Sequence, residues 1–414
     1  MSYIWFMARR LYSQGRGKRA SRAAVGIASA GVALGIAIMV ISISVVLGFK
    51  SEVQNKVVGI GSHVQILNYQ SLYSAEAQPI VVSDSLVTAL NRIPGVTHVQ
   101  RFCLKTGMLK TDDVFQGVAF RGIDEGYDLT FLKDHLVEGD IDRPFSETEN
   151  TGRLIVSQQL ARQLRLGIGS RVYAYFFGRT LRARRFTVAA IYATHMEQYD
   201  SRLVFCDYKT VHQLLGFEPD QSSGAEVSIA DMDCLPFVSQ QVARVVKPCQ
   251  DRYGSYYTSP NIKEVYPHIF AWLDLLDLNV IVILVLMIAV AGFTTISGLL
   301  IIILERTRFI GIMKAMGCSN RSLRHLFINY AVLVIGKGLL FGNLLGIGFC
   351  LLQQQFGLVH LNASTYYVDV VPIQLSWPGV LLINAVTFLI STLALILPSF
   401  LVSRIQPAKS IRFE

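Results

Sequence analysis

Apolar residues along this chain gather into four long runs, and a patterned stretch separates the first run from the second. Ala23 to Phe49 and Val280 to Leu304 carry no charge, Leu326 to Leu352 carries only Lys337, and Gly379 to Ser403 again carries none. A bilayer core about 30 Å thick needs about 20 helical residues, so each run predicts a spanning helix, with tilt absorbing any excess length. Basic residues precede the first run, as in a secretory leader. A leader's apolar stretch is only about 7 to 15 residues long, however, and this run of 27 lacks a convincing small-x-small cleavage site. It reads as a retained anchor.

The patterned stretch covers residues 50–272. His63 to Leu67 (HVQIL) alternates like a strand, and VSDSLVTALNRIPGV predicts a helix capped near Ser83 and ended by Pro94 and Gly95. RLIVSQQLARQLRLGIGSRV predicts strand, short helix, glycine turn and strand. RVYAYFF and ARRFTVAAIYA flank GRTLR, a hairpin with its tip near Gly178 and Thr180. The fold class expected is therefore an α-helical membrane domain of four transmembrane helices, with a large α+β domain of two lobes inserted between helices 1 and 2.

Composition agrees, since 52% of the 414 residues are hydrophobic and only 16% charged, too apolar for an ordinary soluble protein. Charge sets the orientation. The segments before the first run, between the second and third, and after the fourth hold fourteen Lys/Arg against two acids, Glu305 and Glu414; residues 50–272 are nearly balanced. The positive-inside rule then places both termini in the cytoplasm. The formal charge of +9 reflects topology, and no nucleic-acid partner is expected. The expected partition is a cytoplasmic segment 1–22, spans at 23–49, 273–304, 326–352 and 379–403, and an external domain 50–272. A cytoplasmic loop 305–325, a small external loop 353–378 and a cytoplasmic tail 404–414 complete it.

An enzyme reading has little support. GxSxG, HExxH and EF-hand patterns are absent, and the eight histidines lack metal-ligand spacing. Gly17-Lys18 is followed by Arg19 and Gly336-Lys337 by Gly338, where a phosphate loop needs Ser or Thr. The chain is read as non-catalytic, binding no cofactor or metal, and any ATP must be bound by another chain. The six cysteines form no CxxC. A Cys234 to Cys249 disulfide and free thiols both remain open.

Three features carry candidate chemistry. Lys337 lies near the middle of its span, beyond comfortable snorkelling reach, and is expected to face protein, a polar cavity or a carboxylate. Gly338, Gly342 and Gly346 recur every fourth residue in that span, between Gly336 and Gly348, and predict a close helix interface. Asp274 and Asp277, on one helix face at the outer mouth of the second span, mark either the water boundary or the entrance to a cavity for a polar head group. In the loop RFIGIMKAMGCSNRSL, Phe309, Ile312 or Met313, and Met316 recur at helical spacing, while Arg308, Gly311 and Ala315 fall elsewhere on the wheel. Gly317 stops this short helix and Ser319 caps the next. It is either a connector lying in the head groups or a ligand for a groove on a cytosolic protein.

At these residues the sequence resembles the LolC/LolE family of lipoprotein-releasing permeases, within the FtsX/MacB-like class of ABC transporter membrane subunits. The resemblance covers nearly the whole chain. Its specific parts are GVALGIAIMVISISVVLGFK, GSHVQI, ERTRFIGIMKAMGCSNRSLRHLF, YYVDVVPIQL and PSFLVSRIQPAKSIRFE. It implies that Arg308, Phe309, Ile310, Ile312, Met313, Lys314, Met316 and Gly317 form a coupling helix seated on a separate LolD-like cytosolic ATPase. It further implies an inner-membrane location, a periplasmic inserted domain, and two permease chains enclosing a cavity where lipoproteins enter from the membrane lipid. A LolA-like periplasmic carrier receives the cargo. The carrier-facing hairpin tip maps to Phe177, Gly178, Arg179, Thr180 and Leu181, shorter than the family's hook. Carrier recruitment, pairing with a hook-bearing partner and homodimer formation therefore stay open. Phe309 stands where the family often has an acidic residue. Two other readings are a MacB-like exporter of a periplasmic substrate, a class that commonly fuses its ATPase to the N-terminus where only 22 residues precede the first span here, and an FtsX-like regulator of a cell-wall hydrolase.

Overall fold

The computed structural model describes residues 3–14, 19–74, 76–111, 114–124, 126–141, 152–177, 181–247, 250–396 and 398–400. The chain divides into two units. One comprises Met1–Ser51, Trp272–His360 and Val370–Glu414, and the other Glu52–Ala271 with Leu361–Asp369.

The first unit is helical. Among the described residues, four helices are long and apolar enough to cross a membrane: Val25–Gly61, Pro267–Glu305, Asn320–Phe356 and Trp377–Phe400. They are called here the first to fourth spans. The first span is the central one: 56% of its most apolar stretch is buried, against 22%, 28% and 29% in the other three. Small residues make this possible. Cβ atoms added at Gly338, Gly342 and Gly346 would fall 2.8 Å from Val32 Cβ, 2.6 Å from the Ala33 carbonyl oxygen and 3.1 Å from Ala37 Cα. The glycine stripe is the contact between the third and first spans, as its spacing predicts, and close backbone approach replaces side-chain interdigitation there. Gly336 and Gly348 have nothing within 4 Å and lie off this contact. Gly31 meets Thr294 of the second span in the same way. The third and fourth spans are tied by reciprocal amide bonds, Asn343 Nδ2 to Asn384 Oδ1 at 2.7 Å and Asn384 Nδ2 to Asn343 Oδ1 at 2.9 Å.

The second unit is built on strands β1 (Val64–Asn68), β2 (Ile80–Val81), β3 (Val96–Lys110), β4 (Phe115–Ile123), β5 (Leu136–Gly139) and β6 (Arg153–Ser157). They continue with β7 (Arg171–Phe176), β8 (Arg182–Tyr192), β9 (Leu203–Asp207), β10 (Gln221–Ser222), β11 (Gly224–Ile229) and β12 (Tyr257–Thr258). Pairings β3-β4-β9-β6-β8-β7, with β7 returning to β3, close a ring of six strands. Two of the neighbours, β4/β9 and β6/β8, are parallel. Leu109, Phe120, Ala174, Phe186 and Val204 fill the ring, and Phe120 stacks against Phe176 and Phe186 at 4.8 and 5.5 Å. A smaller lobe has the order β12-β1-β11-β3. Strand β3 serves both lobes: residues 96–102 pair with β11 and residues 103–110 with β4.

A buried polar cluster sits beside β3. Arg121 on β4 pairs with Glu226 on β11 and donates to the Ile60 carbonyl. Gln100 Nε2 donates to Glu226 Oε2 at 2.9 Å, and Tyr127 adds a longer bond. Leu361–Asp369, between the third and fourth spans in sequence, joins this unit through His195 Nε2 to Asp369 Oδ2 at 2.9 Å and Lys56 Nζ to the Tyr367 carbonyl at 2.9 Å.

Local expectations hold where local chemistry sets them. Ser83 caps helix Asp84–Asn91 by accepting from Leu86 N–H, and strand, helix, turn and strand follow in order from Arg153 to Phe176. β7 and β8 form the expected antiparallel hairpin. Its tip residues Gly178, Arg179 and Thr180 lie outside the described residues, as does Cys249; Cys234 carries a free, exposed thiol.

Candidate functional site

The segment between the second and third spans folds as a helix, Thr307–Ala315. It breaks from the second span at Arg306, and Thr307 Oγ1 donates to the Leu304 carbonyl at 2.6 Å, which secures the bend. Its end is closed by Gly317 at φ +91°, a left-handed conformation that favours glycine, with Cys318 N–H donating to the Met313 carbonyl at 3.0 Å. Ser319 Oγ then accepts from Ser322 N–H at 3.2 Å and starts the third span. The turn residues do what their types predict.

The faces of this helix correct the sequence reading. Ile310 is fully buried, and Phe309 and Met313 pack against the same apolar cluster as Leu323, Phe327 and Tyr330. Three residues named as part of a docking surface thus point into the chain's own core, because the helix folds back onto the spans that flank it. Arg308, Ile312 and Met316, four residues apart, form the outward row. Ile312 is 45% and Met316 77% exposed, so apolar surface remains there for a partner. Lys314 is half-buried and Gly317 exposed. Phe309 is explained by this geometry: an acidic side chain there would face apolar packing.

Asp277 and Asp274 meet a partner that sequence reasoning missed. Lys50 Nζ lies 2.6 Å from Asp277 Oδ2 and 3.9 Å from Asp274 Oδ1, joining the first and second spans. Phe49 stacks edge-on against Trp272 beside them. Asp277 is thus engaged within the chain, while Asp274 is largely exposed. The Asn343 and Asn384 clasp was likewise missed, although an amide in an otherwise apolar run is itself a signal. Lys337 is exposed, with its Nζ 5.7 Å from the centre of the Phe341 ring. Among the described residues no carboxylate of this chain pairs with it, contrary to one of the three surroundings expected. Phe177 and Leu181, flanking the hairpin tip, are exposed.

Among the described residues no cluster of His, Cys, Asp and Glu could hold a metal ion. The arrangement offers helix interfaces, an outward apolar row and an intramembrane cation.

Two family models match the chain: a MacB-like periplasmic core domain over residues 25–245 and an FtsX-like permease C-terminal region over residues 281–407. The chain is 23% identical to the lipoprotein-releasing system transmembrane protein LolE of Haemophilus influenzae, over 96% of each chain. It is 21% identical to LolC of Xylella fastidiosa, over 93% of this chain and 92% of that one. The macrolide export ATP-binding/permease protein MacB of Bdellovibrio bacteriovorus is 20% identical over 95% of this chain and 60% of its own length. Among solved structures, the periplasmic region of MacB from Actinobacillus actinomycetemcomitans aligns with a TM-score of 0.36 at 15% identity, covering 51% of this chain and 94% of that one.

Proposed function

This chain belongs to the family of the MacB-like periplasmic core domain and is a permease subunit of the ABC transporter class, and from that premise we propose that it releases lipoproteins from the inner membrane. In this reading lipoproteins leave the outer leaflet of the inner membrane through a cavity formed with a second permease chain. They pass to a periplasmic carrier of the LolA kind. A LolD-like cytosolic ATPase holds ATP and Mg and drives the cycle, both termini of this chain lie in the cytoplasm, and the sheet unit lies in the periplasm.

The observation that carries this reading is the end-to-end likeness to LolE, 96% of both chains. The likeness to MacB over 95% of this chain favours a second reading, export of a periplasmic substrate. Depleting the chain and fractionating membranes separates the two. Lipoprotein release predicts mature lipoproteins retained in the inner membrane; unchanged outer-membrane lipoprotein levels would sink it.

The ATPase is proposed to seat on the outward row of helix Thr307–Ala315. Ile312→Glu and Met316→Glu each place a charge on exposed surface, so the chain inserts normally and loses the co-purifying ATPase. Met313→Glu instead disturbs the packing inside the chain. Retention of the ATPase by the Ile312→Glu, Met316→Glu double variant would refute this docking face.

A further inference from the structure

A cavity of about 890 Å³ lies on one face of the sheet unit, a size typical of ligand sites. Its floor crosses both lobes: Leu67 on β1, Phe102 and Leu104 on β3, Ala119 and Arg121 on β4, and Leu203 on β9. Leu104 pairs with Arg121 and Ala119 with Leu203, so these side chains share one side of the strands. Gln65, Gln159 and Gln198 bring side-chain amides to the walls, and Ser71, Ser74 and Ser201 bring hydroxyls; all six can both donate and accept. The charges lining it cancel. Glu197 and Arg202 are exposed and opposite in sign, and Arg121 is already paired with Glu226. Arg121 makes the strictest demand. Its side chain is only 7% exposed, and it spends two nitrogens on Glu226 and the Ile60 carbonyl. Among the described residues its Nε has no hydrogen-bond partner. A buried donor left unpaired is costly, so a carbonyl oxygen that reaches this floor gains a bond that no described group of the chain takes.

Amide-bearing walls, a mainly apolar floor and no net charge match a polypeptide main chain with small side chains. An anion would compete with Glu226 for Arg121, and a fatty chain would leave the wall amides and the Arg121 donor unpaired. A saccharide needs an open aromatic face to stack on, whereas Phe102 is 5% exposed and Tyr199 meets Tyr266 edge-on at 5.6 Å. From β1 to β9 there are four strand spacings of about 4.8 Å, which an extended chain rising ~3.3 Å per residue covers in about six residues. We propose that this cleft is a peptide-binding site for an uncharged, extended segment of that length. The segment's main-chain amides meet the wall amides, and one of its carbonyls accepts from Arg121 Nε. The inference holds whichever substrate the transporter moves.

Its test uses the full chain purified into lipid nanodiscs, without ATPase or lipoprotein, so failure here and failure of lipoprotein release stay distinguishable. The probe is the uncharged peptide amide Gly-Ser-Ala-Asn-Ser-Ala, capped at its N-terminus with a benzophenone for photocrosslinking. Capture saturates with peptide concentration, and the crosslinks map to the floor and walls of the cleft. Ala119→Trp, which fills the floor, lowers capture at least about tenfold. Gln198→Ala alters an exposed side chain, leaves folding intact and lowers capture about threefold, as expected for one lost hydrogen bond. Methylating the peptide's main-chain nitrogens lowers capture at least about tenfold, because several hydrogen bonds go together. Unlabelled parent peptide competes, whereas maltohexaose and a version with both serines replaced by aspartate do not. Absence of saturable capture overturns the inference. So does capture unchanged by both Ala119→Trp and Gln198→Ala. Equal capture of the methylated peptide would show a pocket blind to main-chain amides, and displacement by maltohexaose as effective as by the parent peptide would show a saccharide site; either result also overturns it.

Discussion

The helical unit and the sheet unit solve the same problem, holding polar groups in an apolar interior, in opposite ways. In the sheet unit they are gathered: Arg121, Glu226, Gln100 and Tyr127 converge on one buried cluster between β3, β4 and β11. In the helical unit they are spaced out, as the Lys50–Asp277 pair, the Asn343–Asn384 clasp and the solitary Lys337. Packing differs to match. Large side chains such as Phe120, Phe176 and Phe186 fill the strand ring, while the first and third spans meet through glycines. A sheet unit that excludes water around its core must pair any charge it buries, because an unpaired buried charge is costly. Helices already in an apolar medium gain little from further apolar contact and rely on close approach and single polar bonds.

The difference predicts unequal damage, and the largest effect falls on the gathered cluster. Glu226→Ala leaves the Arg121 guanidinium buried without its carboxylate and should cost the sheet unit about 3–5 kcal/mol. Denaturant unfolding of the full chain, followed through the β-sheet signal, measures it. A loss below about 1 kcal/mol would mean that Arg121 is solvated and that the cluster behaves like a surface pair.

How far each unit was legible in the sequence follows the same division. The four spans are written in run length alone. Ser83, Gly317 and Ser319 are equally legible, because a cap acts within three or four residues of itself. The glycine stripe announced its interface by its period. What stayed hidden is set by partners far away in the chain. Lys50 and Asp277 are 227 residues apart and Asn343 and Asn384 are 41 apart. The ring closes when β7 returns to β3. The two lobes interleave, with β3 in both and the smaller lobe drawing strands from each end of the insertion, so no single boundary separates them in sequence. Helix Thr307–Ala315 shows the limit of periodicity: it finds an apolar stripe but does not say whether the chain itself or a partner covers it. Here the chain covers Phe309, Ile310 and Met313.

A second prediction tests whether the sheet unit depends on neutral polar groups as well as paired charges. His63 is pushed down to about 4 by burial, and its Nδ1 accepts from the Ile229 N–H at 3.2 Å, which requires an unprotonated nitrogen. A depressed value in the folded state stabilises above the ordinary histidine value and is lost as pH falls through the folded one. The sheet unit should therefore lose stability between about pH 6.5 and 4, by about 3 kcal/mol at most. His63→Gln, which keeps an acceptor for Ile229, should remove that slope. An unchanged slope in the variant would assign acid sensitivity to other groups.

The smallest expected effect sharpens the helical side of the comparison. A methyl group at position 342 would lie 2.6 Å from the Ala33 carbonyl oxygen and 2.8 Å from Ile36 Cβ, and the carbonyl belongs to backbone that cannot rotate away. Gly342→Ala should push the third span from the first at a cost of about 1–3 kcal/mol. Gly348→Ala, with nothing within 4 Å, should leave the packing within the chain unchanged. Thermal unfolding of both variants in detergent makes the comparison direct. Because Gly342 and Gly348 lie about 120° apart around one helix, only Gly342 being in close contact, equal destabilisation would mean that glycine content rather than close approach governs the span, whereas loss at Gly342 alone ties stability to the contact with Ala33 and Ile36.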